Sequence, residues 1–173
     1  CLPLMLIAAV IVKLGSKGPV LFVQERIGEL NRPFDMYKFR SMAQDAEKDG
    51  PQWAQKNDAR ITRFGKFMRL TRIDELPQLW NVIRGDMSFV GPRPEREFFI
   101  KQLEKEIPYY NLRHTVKPGL TGWAQIMYQY GSTIDDSYIK LQYDLYYIKH
   151  HNIIFDFMII LNTITTVILG KGR

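Results

Sequence analysis

Hydrophobic positions divide the chain into short amphipathic stretches. The opening run, Cys1 to Val12, is apolar or small throughout and ends at Lys13. As a helix it rises about 18 Å, short of the ~30 Å hydrocarbon thickness of a bilayer, which fits a core, re-entrant or interfacial segment. It lacks the basic flank and small-residue cleavage site of a signal peptide. Gly15 to Pro19 form a turn cluster, and Val20 to Val23 read as a strand with Phe34 to Arg40 as its partner. Residues 42–57 are polar and read as a solvated helix and loop.

Residues 60–72 carry five basic side chains and no acid. As a helix they place Ile61, Phe64 and Met68 on one face, with Arg63, Lys66 and Arg69 opposite. Such a helix suits a membrane surface, an anionic ligand, or simple packing on a core. Leu76, Leu79, Trp80 and Ile83 recur at helical spacing, and Pro77 restricts that helix to a start near Asp74. Further helices are predicted over 95–107, 135–149 and 153–169, with a loop around Val116 to Ile126. In the last helix Ile153, Phe157, Ile160, Ile164 and Ile168 fall on one face, and Asp156, Asn162, Thr163 and Thr166 on the other. Short helices with a minor strand component define an α+β fold, mostly helical with a small sheet.

Composition narrows the classes. At 173 residues, 46% hydrophobic and 24% charged, the chain is an ordinary folded domain, and its single cysteine rules out an internal disulfide. A net charge of +6 calls for an anionic partner: a phosphorylated substrate, a membrane surface or nucleic acid. No nucleic-acid motif supports the last. The chain opens on Cys1 inside an apolar run, which reads as a fragment or processed product.

The densest polar cluster is Arg72-Ile73-Asp74-Glu75-Leu76-Pro77-Gln78. Two adjacent acids at a helix start lie where free N–H groups favour carboxylates and phosphates. Asp74 is then either an N-cap or a nucleophile held ionised by Arg69, Arg72 and the helix terminus, with Glu75 as metal ligand or base. In Gly85 to Pro94, two prolines stiffen the backbone around Arg93, whose guanidinium suits a phosphate or a structural carboxylate. Tyr37 to Met42 alternates Lys38 and Arg40 with aromatics, either to grip phosphate or as a plain amphipathic strand. The three histidines lack zinc-ligand spacing, and no Gly-rich phosphate loop or nucleophile elbow occurs.

Taken in order, Gly18 to Gly28, Tyr37 to Met42, Asp74 to Val82, Gly85 to Pro94 and Lys117 to Gln125 closely resemble the bacterial monotopic phosphoglycosyl transferases. The resemblance implies transfer of a sugar phosphate from a UDP-sugar to undecaprenyl phosphate, with release of UMP, to initiate exopolysaccharide, O-antigen or capsule assembly. It implies Asp74 as nucleophile, forming a covalent phosphosugar intermediate, and Glu75 and Asp74 as the Mg²⁺ site. Arg93, with Lys38, Arg40, Arg69 and Arg72, would bind phosphate. It further implies a location on the cytoplasmic face of the bacterial inner membrane, in contact with anionic lipids. Residues 1–14 match the second half of a re-entrant helix broken at Pro3, and 15–173 the catalytic domain. The ending Leu169 to Arg173 looks like that of longer members. Homo-oligomerisation stays open. The rival reading is a non-catalytic membrane-binding or interaction module using 60–72 and the last helix, indifferent to metal and to loss of Asp74.

Overall fold

The computed structural model describes residues 2–44, 46, 48, 50, 58–128, 131 and 133–168. Most of the predicted 42–57 segment and the 169–173 ending therefore lie outside the described residues. The first sheet is the expected hairpin. Strand β1 (Leu21–Ile27) pairs antiparallel with β2 (Pro33–Phe39) in a register that sets Val23 opposite Tyr37. β1 runs four residues further than the apolar segment Val20 to Val23 suggests, because Arg26 and Gln24 bond to each other along it and Ile27 N–H donates to Glu95 O at 3.0 Å.

Helix α1 (Leu2–Gly15) lays Met5, Ala8, Ala9 and Val12 against Phe39, Met68 and Phe64. Met68 and Phe64 belong to α2 (Arg63–Leu70), which starts at an N-cap where Thr62 Oγ1 accepts from Gly65 N at 2.9 Å. Gly65, which weakens a helix by about 1 kcal/mol in isolation, is required here. A side chain at that position would run into the Ser41 carbonyl that α2 crosses. Ile61 lies before the helix and bridges to Met42 instead of sharing its buried face.

The second core holds Ile27, Ile100, Leu103, Ile107, Tyr110 and Leu141. It joins β1 to α4 (Glu97–Glu106), a 3₁₀ stretch at Tyr110–Thr115, and α6 (Ile134–His150). α6 begins with a reciprocal capping box between Thr133 and Asp136. The Val116 to Ile126 region is more ordered than the loop expected from its glycines. It contains β4 (Gly119–Thr121), paired parallel with β3 (Ser88–Val90), and a short helix α5 (Trp123–Met127). Gly91, Gly119 and Gly122 bring backbone onto backbone, and a Cβ at any of them would strike the facing main chain.

Two helices show large apolar side chains outward, a direction their spacing leaves open. In α3 (Gln78–Arg84) the apolar Trp80 and Ile83 are 55% and 75% exposed, while the polar Gln78 and Asn81 are buried. In α7 (Ile153–Ile168), Ile153, Phe157 and Ile164 face outward. Two of its polar residues turn in: Tyr147 Oη donates to Asp156 Oδ1 at 2.8 Å, and Thr163 and Thr121 share a 2.7 Å hydroxyl bond, beside the buried Ile159. Nor does α3 begin at Asp74. A 3₁₀ turn occupies Ile73–Glu75 and the α-helix starts after Pro77. No helix among the described residues is long and apolar enough to cross a membrane.

Asn81 shows why polarity points inward. Its Nδ2 donates to Asp35 O at 2.7 Å and to Asp86 Oδ2 at 3.3 Å, and its Oδ1 accepts from Tyr37 N at 3.2 Å. One amide thus ties α3 to the hairpin. Asn81→Leu keeps the volume but strands Tyr37 N–H and Asp35 C=O. We expect a loss of about 2–4 kcal/mol, measured by thermal unfolding in detergent, against a small effect for the exposed Ile83→Ala.

Candidate active site

The Asp-Glu turn is held in an unfavourable backbone state. Arg72, immediately before it, sits at φ 57° in the left-handed region, a conformation that costs a non-glycine residue about 1 kcal/mol or more. The bend turns Asp74 and Glu75 inward, and both are buried.

Glu75 lies among three cations from three segments. Arg93 Nη2 donates to its Oε1 at 2.8 Å, Lys38 Nζ to the same oxygen at 3.3 Å, and Arg72 Nη1 to Oε2 at 3.2 Å. Burial alone would raise its pKa, but Arg93, Lys38 and Arg72 outweigh burial and hold the carboxyl well below the usual range. Lys38 moves the other way. Burial lowers its ammonium to about 8, with Glu75 opposing the shift.

Asp74 differs from the sequence expectation. Arg72 is committed to Glu75, and Arg69 Nε donates to Ser41 Oγ at 2.9 Å. Arg69 is thus partly buried and turned toward the acids, not out to solvent. Burial first, then the charge of Glu75, raises the pKa of Asp74, and the fields of Lys38, Arg69 and Arg72 offset this only in part. Its Oδ1 is buried with no hydrogen-bond partner among the described residues. Among the described residues Asp74 is neither N-cap nor ion-paired; it is a buried carboxyl with a free oxygen. Among the described residues no group of three metal-ligating side chains exists. A Mg²⁺ ion takes one or two carboxylates and completes its octahedron from water and substrate phosphates. The unpartnered, under-compensated Asp74 oxygen beside Glu75 fits that requirement.

Arg93 is fixed from behind. Arg113 Nη2 donates to the Arg93 carbonyl at 2.9 Å, Arg26 Nη1 to the Pro94 carbonyl at 3.1 Å, and Gly119 N–H to the Pro92 carbonyl at 2.9 Å. Arg113 is itself buried, donates to Tyr110 Oη at 2.6 Å and pairs with Asp144 of α6 at 2.9 Å. In front, Arg93 Nη1 donates to Gln125 Oε1 at 3.3 Å, and Gln125 Nε2 is left buried without a partner among the described residues. The structure thus gathers Lys38, Arg72, Arg93 and Glu75 and sets Asp74 and Arg69 beside them. Arg40 stands apart, donating to Ser16 O at 2.9 Å and Ser16 Oγ at 2.8 Å. The residues that sequence reading missed are Asn81, Gln125, Arg113 and Asp144. The first two lie inside motifs already singled out; the last pair is brought together only by the packing of α6.

Carboxylates and guanidinium groups converging from rigid loops equip a site for phosphate-bearing substrates. Sequence comparison agrees on the class: residues 1–170 match the bacterial sugar transferase family, and the chain belongs to it. It is 52% identical over 170 residues to a UDP-N-acetylgalactosamine-undecaprenyl-phosphate N-acetylgalactosaminephosphotransferase of Aeromonas hydrophila, covering 98% of this chain and 40% of that protein. It is 48% identical over 172 residues to a UDP-glucose:undecaprenyl-phosphate glucose-1-phosphate transferase of Xanthomonas campestris pv. campestris, covering 98% and 36%. A protein of that same description from Escherichia coli (strain K12) is 42% identical, covering 98% and 37%. The chain therefore spans well under half the length of these relatives.

Burial raises the Asp144 carboxyl to about 6, with Arg113 opposing the shift. The native state then holds a proton there that the unfolded chain releases near 3.9. Its contribution to stability is full below pH ~4 and is lost as pH rises through about 6. His114, lowered by burial to about 4, works in the opposite sense over the same window. Comparison with Asp144→Asn isolates the carboxyl. Wild type should lose stability relative to that variant between pH 4 and 6, by on the order of 1–3 kcal/mol, and run parallel above pH 7. Thermal melts across pH measure it.

Proposed function

We propose that the chain transfers a sugar 1-phosphate from a UDP-sugar to undecaprenyl phosphate. In the first step a carboxylate oxygen of Asp74 attacks the sugar-bearing phosphorus. The bond from that phosphorus to the bridging oxygen breaks, and UMP leaves with the electron pair. In the second step an oxygen of the lipid phosphate attacks the same phosphorus. The bond to Asp74 breaks, the carboxylate is regenerated, and a lipid diphosphate sugar departs. The observation that carries this assignment is the contrast between the two neighbouring acids. Glu75 has both oxygens engaged by cations, whereas Asp74 keeps one buried oxygen free. A carboxylate gives an acyl phosphate, a reactive intermediate that a second phosphate readily displaces.

Phosphoryl transfer depends mainly on positioning and on neutralising phosphate charge. Arg93 is built for both. Its backbone is clamped by Arg113, Arg26 and Gly119, and its guanidinium lies at the edge of the acids and half-exposed, a cation shared between Glu75 and an incoming diphosphate. Lys38 and Arg72 supply further positive charge. Mg²⁺ held by Asp74 and Glu75 would add the charge that keeps Asp74 ionised and screens the diphosphate. The names of the relatives, all nucleotide-sugar:undecaprenyl-phosphate transferases, support this reading of the substrates. The outward apolar faces of α1, α3 and α7 support residence at a membrane surface. We place the chain on the cytoplasmic face of the bacterial inner membrane, where UDP-sugars and the lipid phosphate meet. The product would open the membrane stage of exopolysaccharide, capsule or O-antigen synthesis.

The decisive experiment incubates the protein with Mg²⁺ and a panel of UDP-sugars and follows UMP release. Intact-protein mass spectrometry and peptide mapping then locate any adduct. A sugar-phosphate adduct on Asp74 is expected, absent in Asp74→Asn along with UMP release. Glu75→Gln should retain an adduct but form it slowly, with weakened Mg²⁺ dependence. An adduct on Glu75, or one that survives in Asp74→Asn, overturns the assignment.

The fork of Arg93 engages Glu75 and Gln125 through two different nitrogens, which a lysine cannot reproduce. Arg93→Lys should lower turnover at least about tenfold, equivalent to ~1.4 kcal/mol of transition-state stabilisation. Initial-rate kinetics at saturating UDP-sugar check it.

A further inference from the structure

The Arg93 guanidinium is shared between two acceptors of different charge. Nη2 donates to the Glu75 carboxylate at 2.8 Å and Nη1 to the Gln125 amide oxygen at 3.3 Å. One contact leaves a planar group free to swing about it; two contacts on different nitrogens fix the plane. Gln125 is itself delivered by stiff backbone. α5 begins where Gly122 lies against the Gly91 carbonyl, so close that a Cβ there would strike it. Gln125 N–H donates to Gly122 O at 3.0 Å. Trp123 of the same helix packs edge-on against Phe155 of α7, with ring centroids 5.2 Å apart. The amide is therefore held from two sides, by the glycine contact that leads into the Arg93 loop and by α7.

Stability alone does not explain an amide at this place. Its oxygen accepts from Arg93, which sets the orientation of the group, and its Nε2 is then buried without a partner among the described residues. A stranded buried donor is destabilising. A methionine of similar length would strand none, and a glutamate would give Arg93 a stronger, charge-assisted bond. Both alternatives change what Arg93 offers a substrate. The methionine releases the plane of the fork. The glutamate sets a second carboxylate on a cation already paired with Glu75, and so cancels the charge left over for a ligand. A neutral acceptor holds the geometry and leaves the charge. The Arg93 side chain is still 37% exposed, so that charge is open to an incoming anion. We propose that Gln125 is a positioning residue, fixing the plane of Arg93 for the diphosphate of a nucleoside diphosphate substrate while leaving its positive charge uncommitted. Gln125 acts through Arg93 alone, since its own Nε2 has no surface with which to reach a ligand. The part this plays in turnover rests on the transfer reaction proposed above.

Two measurements on the full chain in detergent with Mg²⁺ test it: binding of UDP by isothermal titration, which needs no turnover, and initial rates of UMP release. Gln125→Glu should raise Kd for UDP and KM for the UDP-sugar at least about tenfold, a difference of ~1.4 kcal/mol. Gln125→Met should keep Kd for UDP within about threefold of wild type and lower kcat at least about tenfold. Its thermal midpoint should equal or exceed that of wild type, so that lost folding does not account for lost turnover. Placed on Arg93→Lys, Gln125→Met should lower kcat no further, because the fork it acts through is already gone. Wild-type Kd in Gln125→Glu, wild-type kcat in Gln125→Met, or an additive loss in the double variant overturns the proposal. If Gln125→Met does not fold, Gln125→Glu decides alone. Failure of the wild type to bind UDP overturns the diphosphate role of Arg93 and this proposal with it. If the wild type binds UDP, Gln125→Glu weakens that binding, and no UDP-sugar yields UMP, the transfer reaction is defeated and the positioning of Arg93 for a nucleoside diphosphate stands.

Discussion

A buried carboxylate cannot stay ionised unless charge is brought to it, and Glu75 sets that requirement for the whole molecule. Its three partners arrive from the hairpin, from the strained turn and from the Arg93 loop. Each must be delivered by structure that would not otherwise meet. The hairpin is fastened to α3 through Asn81, the turn is bent by Arg72, and the loop is gripped by carbonyl contacts from Arg26 and Arg113. Removing a buried partner leaves a naked charge, which costs far more than the pair contributes when intact. The arrangement therefore specifies geometry more than it adds stability.

Electrostatic asymmetry between neighbours follows from the same arrangement. By drawing Arg93, Lys38 and Arg72 to itself, Glu75 leaves Asp74 with distant fields only. Two adjacent acids of nearly identical intrinsic acidity are thereby driven in opposite directions. Such divergence is a frequent mark of sites where carboxyl groups divide their roles.

The sequence reveals some of this and conceals the rest. Local signals carried well: the strands of the hairpin, the helices at α4 and α6, and the acid pair with its proline-framed arginine were all legible. What the spacing left open was the direction in which each face points. Trp80, Ile83, Ile153 and Phe157 point out while Asn81, Asp156 and Thr163 point in, and a periodicity argument gives spacing without direction. The parallel β3–β4 pair was also hidden. Its strands are three residues each and the paired residues lie 31 positions apart, so no local pattern announces it. Arg40 was grouped with the catalytic cations by its motif, yet it faces the far end of α1. The Arg113–Asp144 pair had no local signature at all.

Helix α7 separates two properties that are usually bound together. Its packing against the domain runs through Phe155, Asp156, Ile159, Ile160 and Thr163, whereas Ile153, Ile154, Phe157 and Leu161 are exposed. Affinity for a bilayer and cohesion of the fold are therefore encoded by different side chains of one helix. The outer set is free to drift with the thickness and composition of the host membrane, or to be redesigned toward an aqueous surface, without disturbing the inner set that keeps the site assembled.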